Sequence, residues 1–289
     1  MKLRQTMKQY KIDYESKYKK ILEDSFVDPD EDVPSPPIAI SFGSSYGFDS
    51  IPAVVASYGN FSFVQAPPKS KKTFFLSLIA ISYICGDTKY TKGLKSHRKG
   101  KKLIHYDTEQ SRYHSHKVFR RVSRVCQNTS DYLTYSLRQY TVEERLEFID
   151  WHLNNTEEIG LVIIDGIADL IADSNDLKES TKVTQFLMRW TQELNIHIMT
   201  AIHSNWNSDK PTGHLGSFLE KKAETQIALD LCDENIATVS CMRSRGFPFE
   251  KFAFEVNLDG IPYILDDIPS NINDESFNKV KNAKKNKRS

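Results

Sequence analysis

Five short apolar runs, each followed by a polar loop, constrain the fold of this 289-residue chain more than any other feature. They lie at residues 61–65, 103–107, 161–165, 197–202 and 225–229. Amphipathic stretches with helical spacing lie between them, at 73–85, 111–126, 142–153 and 181–194. Strands that are apolar throughout are buried on both faces, as in a parallel sheet covered by helices. The sequence therefore predicts an α/β domain with a mainly parallel, twisted sheet and helices on both faces.

The two ends of the chain differ from this central pattern. Strand-like pieces at 237–241, 252–256 and 263–265 follow one another without helices, which predicts an antiparallel extension at one edge of the sheet. Tyr10, Tyr14 and Tyr18 have helical spacing and predict an N-terminal helix, and the acidic, proline-rich residues 28–37 predict a linker. We therefore expect three parts: a helix and linker at 1–36, a core at 37–269, and a basic disordered tail at 270–289.

The net charge of +1 hides an uneven distribution of charge. Residues 89–102 hold seven Lys or Arg and residues 279–289 hold six, and neither segment contains an acid. The rest of the chain carries 26 basic against 38 acidic residues. Basic clusters on an acidic body can contact phosphate backbones, although a solvated loop and a solubilising tail explain them equally well.

Composition excludes several classes of protein. A hydrophobic fraction of 39% is enough for a sizeable core and excludes a disordered chain. No apolar run approaches the roughly 20 residues that a membrane helix needs. The charged start lacks the apolar segment of a signal peptide. The four cysteines lie far apart with no C-x-x-C pair, which predicts neither a disulfide framework nor a zinc site and is typical of a reducing cytoplasm.

The first apolar run leads into a basic loop that resembles a phosphate loop. Compared with G-x-x-x-x-G-K-[ST], it keeps Lys72 and Thr73 but has Ala66 and Lys71 in place of both glycines. Such a loop needs N–H groups turned inward, a lysine for the terminal phosphates and a hydroxyl for Mg²⁺. A left-handed Lys71 would cost about 1–2 kcal/mol, which bound phosphate can offset. The predicted nucleotide-binding residues are Ala66, Pro67, Pro68, Lys69, Ser70, Lys71, Lys72, Thr73 and Phe74.

Three later runs end beside Glu109, Asp165 and His203. A carboxylate beyond a buried strand can polarise an attacking water, an Asp at a strand end can hold Mg²⁺ through water, and a His there can sense a terminal phosphate. Taken singly, each has an ordinary explanation, such as an acid near a helix start or a local hydrogen bond. Because ligands of open α/β sheets bind at the carboxyl ends of strands, the four exits together predict a triphosphate site.

These motifs carry a family resemblance: APPKSKKT (66–73), YDTEQS (106–111), LVIIDGIADLI (161–171), AIHSN (201–205), GHLGSFLEKKAET (213–225) and MRSRG (242–246). The core resembles a RecA-type P-loop ATPase, closest to the RepA/DnaB-like hexameric helicase branch and its AAA family ATPases of bacterial mobile elements. The resemblance implies ATP and Mg²⁺ as ligands. It implies Lys72 as the phosphate lysine, Thr73 and Asp165 as Mg²⁺ residues, Glu109 as the catalytic glutamate and His203 as the phosphate sensor.

The same resemblance implies an oligomer, a hexamer or another ring or filament. In such enzymes a basic pair after the fifth core strand reaches the neighbouring subunit's ATP, and Arg243 and Arg245 occupy the matching positions. An exposed hairpin with basic side chains is the alternative for that pair. DNA, expected to be single-stranded, would contact the loop from 206 to 216 through Trp206, Lys210 and His214, although Trp206 is equally well interpreted as a packing residue. Replication or mobile-element proteins are the expected partners.

The leading prediction is thus a Mg²⁺-dependent ATPase coupled to DNA, a helicase, translocase or DNA-processing motor acting with arginine fingers in trans. The loop without glycines supports a different class, a nucleotide-binding regulatory or assembly protein that hydrolyses ATP weakly or not at all. The retained Glu109, Asp165 and His203 argue against it. A small-molecule kinase would need a lid and an acceptor site, and the sequence shows no lid pattern.

Overall fold

The computed structural model describes residues 2–46, 51–205 and 210–269, so the predicted basic tail lies outside the described residues. The chain divides into two compact units, residues 1–35 and 36–289. The first unit contains α1 (Lys2–Ser25), in agreement with the helical spacing of its tyrosines, and its described side chains are exposed. The second unit contains the remaining elements.

Twelve strands are formed in the described part of the chain. They are β1 (Ile38–Tyr46), β2 (Ile51–Ser57), β3 (Phe61–Ala66), β4 (Leu94–Ser96), β5 (Lys102–Asp107), β6 (Tyr132–Ser136), β7 (Ile159–Asp165), β8 (His197–His203), β9 (Thr225–Leu231), β10 (Ile236–Ser244), β11 (Phe252–Val256) and β12 (Pro262–Ile264). The helices of the second unit are α2 (Lys72–Cys85), α3 (Arg112–Val125), α4 (Val142–Asn154), α5 (Leu177–Leu194) and α6 (Gly213–Lys222).

Nine strands form one sheet in the order β12-β11-β10-β9-β3-β8-β7-β5-β6. The six strands from β9 to β6 are parallel, and β10, β11 and β12 continue the sheet in antiparallel fashion. The predicted α/β class and the antiparallel edge extension are therefore confirmed, and the architecture is that of a P-loop NTPase. Because β3, β8, β7 and β5 are neighbours, their carboxyl ends lie side by side.

Two hydrophobic cores cover the two faces of this sheet. On one face β3, β7 and β8 pack with α2, with residues of α3 and with the small sheet formed by β1, β2 and β4. On the other face α4, α5 and α6 cover the same strands. Helices on both faces bury the parallel strands completely, which explains why the sequence of β7 is apolar up to its final Asp165.

The small sheet, β6 and α6 were not predicted from the sequence. β1 contains Gly43 and β2 contains Pro52, and both residue types weaken the strand signal. β6 lies at the sheet edge with half-buried side chains, so Thr134 and Ser136 interrupt its apolar pattern. The segment from 206 to 216 was interpreted as a loop, but α6 begins within it, at Gly213.

Cys85 and Cys126 form a disulfide, which corrects the expectation that the cysteines stay unpaired. Their Cα atoms lie 5.2 Å apart although 41 positions separate them in the sequence, because α2 and α3 end next to each other. Cys232 and Cys241 are free. Within the described ranges, no helix combines the length and the apolar character needed to cross a membrane.

Candidate functional site

The loop between β3 and α2 is wound as a phosphate loop without glycine. Lys69 and Lys71 both have left-handed backbones, with φ of 65° and 66°, a conformation that costs non-glycine residues about 1–2 kcal/mol each. Lys71 is the residue directly before the first turn of α2 and has no side-chain cap. The helix N-terminus is thus left open, with backbone N–H groups available to an anion.

Lys72 is the first residue of α2 and directly follows this loop. Its Nζ donates hydrogen bonds to the carbonyl oxygens of Ala66 (3.2 Å) and Pro67 (3.1 Å) and lies 2.9 Å from Nδ1 of His203. The contact with His203 follows from the register, because Ala66 of β3 pairs with His203 of β8. Burial lowers the pKa of Lys72, while the charges of Glu109 and Asp165 oppose that shift. A desolvated ammonium group interacts more strongly with phosphate than an exposed one.

Two buried carboxylates lie side by side at the ends of β5 and β7. Asp107 pairs with Asp165 in the strand register, and their side chains are 0% and 4% exposed. Burial is the main cause that raises the pKa of Asp165 to about 7; the hydroxyl of Thr73 bonds to it and lowers the pKa, and Asp107 raises it further. One oxygen of each carboxylate, Oδ2, has no hydrogen-bond partner in the described ranges. A cation between the loop and these strands would satisfy such oxygens.

Glu109 follows these carboxylates at the mouth of the site. Asp107 Oδ1 accepts the backbone N–H groups of Glu109 (3.1 Å) and Gln110 (2.8 Å), which fixes the turn after β5. Glu109 itself is exposed and lines the cavities described next. The turn therefore places a carboxylate where it can orient water beside a bound phosphate.

A close backbone approach on the other side of the site requires Gly166. Its φ is 110°, and a Cβ at this position would lie 2.4 Å from Thr108 Oγ1 and 2.8 Å from Asp169 Oδ2. Thr108 Oγ1 in turn donates to the carbonyl of Gly166 (2.8 Å) and lies 3.0 Å from Asp169 Oδ2. This network joins the ends of β5 and β7 and fixes the relative positions of the neighbouring carboxylates.

Two adjoining cavities, of about 350 Å³ and 130 Å³, occupy this edge of the sheet. Both are lined by Lys72, Glu109, Asp165 and His203, so the structure brings together the four groups that the sequence predicted at the strand exits. The larger cavity is also lined by the loop residues Lys69, Ser70, Lys71, Thr73 and Phe74, together with Gln110 and Arg121.

The family model for the AAA domain matches residues 55–209, just over half of the chain. The chain belongs to the AAA domain family. A search of curated proteins found no match. The matched region runs from within β2 to just beyond β8 and contains the phosphate loop, Glu109, Asp165 and His203, but not Arg243 or Arg245. An ATPase-type, nucleotide-binding domain is therefore the function supported at family level.

Arg121 is a residue of this AAA domain that the sequence prediction missed. It lies on α3, with its guanidinium carbon 3.7 Å from the ring centroid of Phe74 and Nη1 3.1 Å from Ser77 Oγ. Burial lowers its pKa to about 10, against the raising effect of the nearby Asp165 carboxylate. Arg121 belongs to none of the motifs described above, and the only signal for it in the sequence was the acid-free run of basic residues in α3.

Arg243 and Arg245 lie away from the cavity. Arg243 pairs with Gln226 of β9, and Gln226 pairs with Phe63 near the start of β3. The phosphate loop follows the other end of β3, so Arg243 lies toward the opposite edge of the sheet. Arg243 is 67% exposed and lies 3.9 Å from Glu220, and Arg245 donates to the carbonyl of Lys222. The pair therefore does not join the site of its own chain.

The predicted DNA-contacting residues lie beyond β8. Trp206 is outside the described residues. Lys210 is exposed, and its carbonyl accepts the N–H of Asn205 at 2.9 Å beside the bridge between Ser204 and Pro211. His214 is exposed in the first turn of α6 rather than in a loop. The bridge holds this segment next to His203, so a contact made there is close to the cavity.

Proposed function

We propose that this protein is a Mg²⁺-dependent ATP hydrolase coupled to DNA and active as an oligomer. The observation that carries the proposal is the convergence of Lys72, Glu109, Asp165 and His203 on one cavity beside an open helix N-terminus. A triphosphate fits this arrangement because amides and lysines meet its negative charge while carboxylates face the position of the cation and the water.

Binding would begin at the phosphate loop. The N–H groups before α2 would hold the phosphate oxygens, and Lys72 would turn from the Ala66 and Pro67 carbonyls toward the terminal phosphates. That movement would release His203 Nδ1, which makes His203 a reporter of nucleotide at the end of β8. The exchange of carbonyl partners for phosphate would help to offset the cost of the left-handed loop.

Thr73 and Asp165 fit a magnesium ion. Mg²⁺ prefers oxygen ligands and keeps several waters, and it is usually held by one or two carboxylates with substrate phosphates. The described residues contain no group of three or more His, Cys, Asp or Glu that could hold a metal by itself, which agrees with a cation shared with the nucleotide. When bound, Mg²⁺ would neutralise charge on the phosphates.

Glu109 is the residue proposed to orient the attacking water. It lies at the cavity mouth on a turn that Asp107 holds in place, so its carboxylate can accept a proton from water in line with the terminal phosphate. Asp165 stays next to Thr73 and serves the cation.

Arg243 and Arg245 are proposed to act on the neighbouring subunit. They lie toward the strand-start edge of the sheet and are exposed, which suits contact with a second copy in a ring or filament. We propose a RepA/DnaB-like helicase or translocase acting on single-stranded DNA in the cytoplasm with replication or mobile-element partners. Trp206, Lys210 and His214 are the proposed contacts beyond β8.

An ATPase assay with and without Mg²⁺ and single-stranded DNA, combined with mass measurement of the oligomer, tests the proposal. We expect Lys72→Ala to lose ATP binding and Glu109→Gln to bind ATP but lose hydrolysis, while Lys178→Ala on α5 serves as a matched control. Wild-type turnover in Glu109→Gln would contradict its role. Tight ATP binding without hydrolysis at high protein concentration with DNA would favour a nucleotide-binding assembly protein, which the two left-handed lysines of the loop support.

A further inference from the structure

The outer face of α3 is a basic surface with an exposed aromatic side chain. The helix contains five Lys or Arg, two His and no acid. Tyr113, Lys117, Arg120 and Arg124 follow one another at helical spacing and are all exposed, with Tyr113 at 64%. At 1.5 Å per residue the four span about 16 Å. We call these four residues the α3 stripe.

Among the residues that the structure describes, no carboxylate forms an ion pair with the α3 stripe. In the described part of the protein, neither Lys117 nor Arg120 forms an ion pair. Arg124 donates to the backbone carbonyl of Asp259 rather than to a carboxylate. α2 and β6, on which α3 packs, contain no Asp or Glu, and Asp107 of β5 lies against Ser115 on the inner side of α3, away from the stripe. A positive field therefore extends into solvent from this helix.

Other surface helices mix the two signs of charge. α4 carries Glu143, Glu144 and Glu147, and on α5 Arg189 is paired with Asp150 and lies near Glu193. Outside residues 89–102 and 279–289 the chain has more acidic than basic residues, so a cationic face of this size is a local feature and not a consequence of composition.

We propose that the α3 stripe binds the phosphate backbone of single-stranded DNA. The choice of DNA as partner rests on the proposed function, but the surface is new and is separate from the segment beyond β8. Lys117 and Arg120 would contact phosphates, and Tyr113 would stack on a base. Lys117 Nζ lies 4.6 Å from the centroid of the Tyr113 ring, so the cation and the aromatic ring are side by side. Regularly spaced cations over about 16 Å suit a polyanion whose phosphates recur every few ångströms.

The position of α3 gives such binding a route to the nucleotide. On its inner side the same helix carries Arg121, which lines the larger cavity and contacts Phe74 at the start of α2. A shift of α3 on DNA would therefore move a cation at the nucleotide site.

Charge reversal with a matched control tests the proposal. We would measure binding of the full-length protein to a fluorescent oligo-dT strand over a salt series for wild type, Lys117→Glu with Arg120→Glu, and Lys178→Glu with Lys182→Glu. The control pair is exposed on α5 and changes the net charge equally. We expect the α3 pair to weaken binding tenfold or more and to reduce the salt slope by roughly 1.4, since each single-strand phosphate contact contributes about 0.7. The control pair on α5 should leave the affinity for oligo-dT and the salt slope unchanged.

Tyr113 supplies a second measurement that does not depend on net charge. Tyr113→Ala should weaken binding by at least about fivefold, and Tyr113→Phe should restore it, because either ring can stack on a base. Circular dichroism and thermal unfolding would show that the variants are folded.

Each remaining outcome overturns the proposal. Wild-type affinity and salt slope in the α3 pair, or an equal loss in the α5 pair, would do so. Loss of the oligomer in the α3 pair would also overturn it, because the stripe would then be a subunit interface. Binding to phosphatidylserine vesicles that depends on the α3 stripe, without binding to oligo-dT, would overturn it as well. ATP binding by the wild-type protein would be measured separately. If the wild type binds ATP but the α3 variants behave like wild type toward oligo-dT, the proposal for the α3 stripe fails while the nucleotide site stands.

Discussion

The two edges of the main sheet present their cations in opposite ways. At the strand-exit edge, Lys72 is buried and Arg121 is half-buried, and burial lowers the pKa of both. Toward the strand-start edge, Arg243 and Arg245 are exposed on β10 and directly after it. The first pair lines the larger cavity, while the second pair lines neither of the two cavities described above. Lys72 and Arg121 can act within one chain, whereas Arg243 and Arg245 are proposed to act on a second copy.

The outer arginines nevertheless lie on an anchored segment. Glu224, which precedes β9, accepts the backbone N–H of Ser57 at 2.9 Å and also bonds to the Ser57 hydroxyl. Its own carbonyl accepts the N–H of Arg245 at 3.0 Å. The backbone at Arg245 is therefore fixed while the side chains of Arg243 and Arg245 are exposed, which suits the proposed contact with a neighbouring subunit.

The largest expected effect on ATP turnover comes from replacing Arg243 and Arg245. Arg243→Ala with Arg245→Ala should lower ATP turnover about 10³-fold or more, because an arginine finger contributes on this scale, while ATP affinity per subunit changes little. Turnover and nucleotide binding would be measured separately, with Lys251→Ala as an exposed control nearby.

Mixing variants separates action in trans from action in cis. Oligomers that combine the double arginine variant with Lys72→Ala contain sites with an intact loop beside an intact arginine pair, so part of the turnover should return. If mixed oligomers form but recover no ATP turnover, Arg243 and Arg245 do not act on a neighbouring subunit, and the contrast between the two edges fails.

How far the sequence predicts this site depends on where each residue lies. Lys72, Glu109, Asp165 and His203 were predictable because each lies at the end of a short apolar strand or in the segment that follows it, and parallel strands bring their ends to one edge. Arg121 was not, because its inward direction depends on the packing of α3 against Phe74 and Ser77 of α2.

Tertiary pairing hides other features in the same way. Cys85 and Cys126 meet only when α2 and α3 pack together, so their spacing in the sequence carries no signal. The edge strand β4 lies inside a basic segment, and only its pairing with β1 and the burial of Leu94 reveal it. Local patterns thus predict the strands that are buried on both faces and the antiparallel extension, but they miss the edge strands β4 and β6.

A smaller effect, on ATP binding, is expected from replacing Arg121 at the strand-exit edge. Arg121→Ala should weaken ATP binding roughly tenfold to a hundredfold, since a hydrogen bond to a charged group contributes about 1.5–3 kcal/mol. Arg121→Lys keeps the charge but loses the planar stack on Phe74, so an intermediate loss is expected. Arg124→Ala on the same helix is the control. Calorimetric titration with a non-hydrolysable analogue would measure the three affinities, and equal affinities in all of them would place Arg121 outside the nucleotide site.

The smallest effect concerns the strain in the loop itself. Lys71→Gly removes a left-handed lysine that costs about 1–2 kcal/mol, but glycine costs about 0.5–1 kcal/mol in backbone entropy. The difference should raise the midpoint of thermal unfolding without nucleotide by roughly 1–4 °C for a domain of this size. Lys95→Gly in β4, where the backbone is a paired strand, should lower the midpoint instead. If Lys71→Gly also lowered the midpoint, Lys71 would be stabilising the empty loop, and the loop at the strand-exit edge would not be strained at this residue.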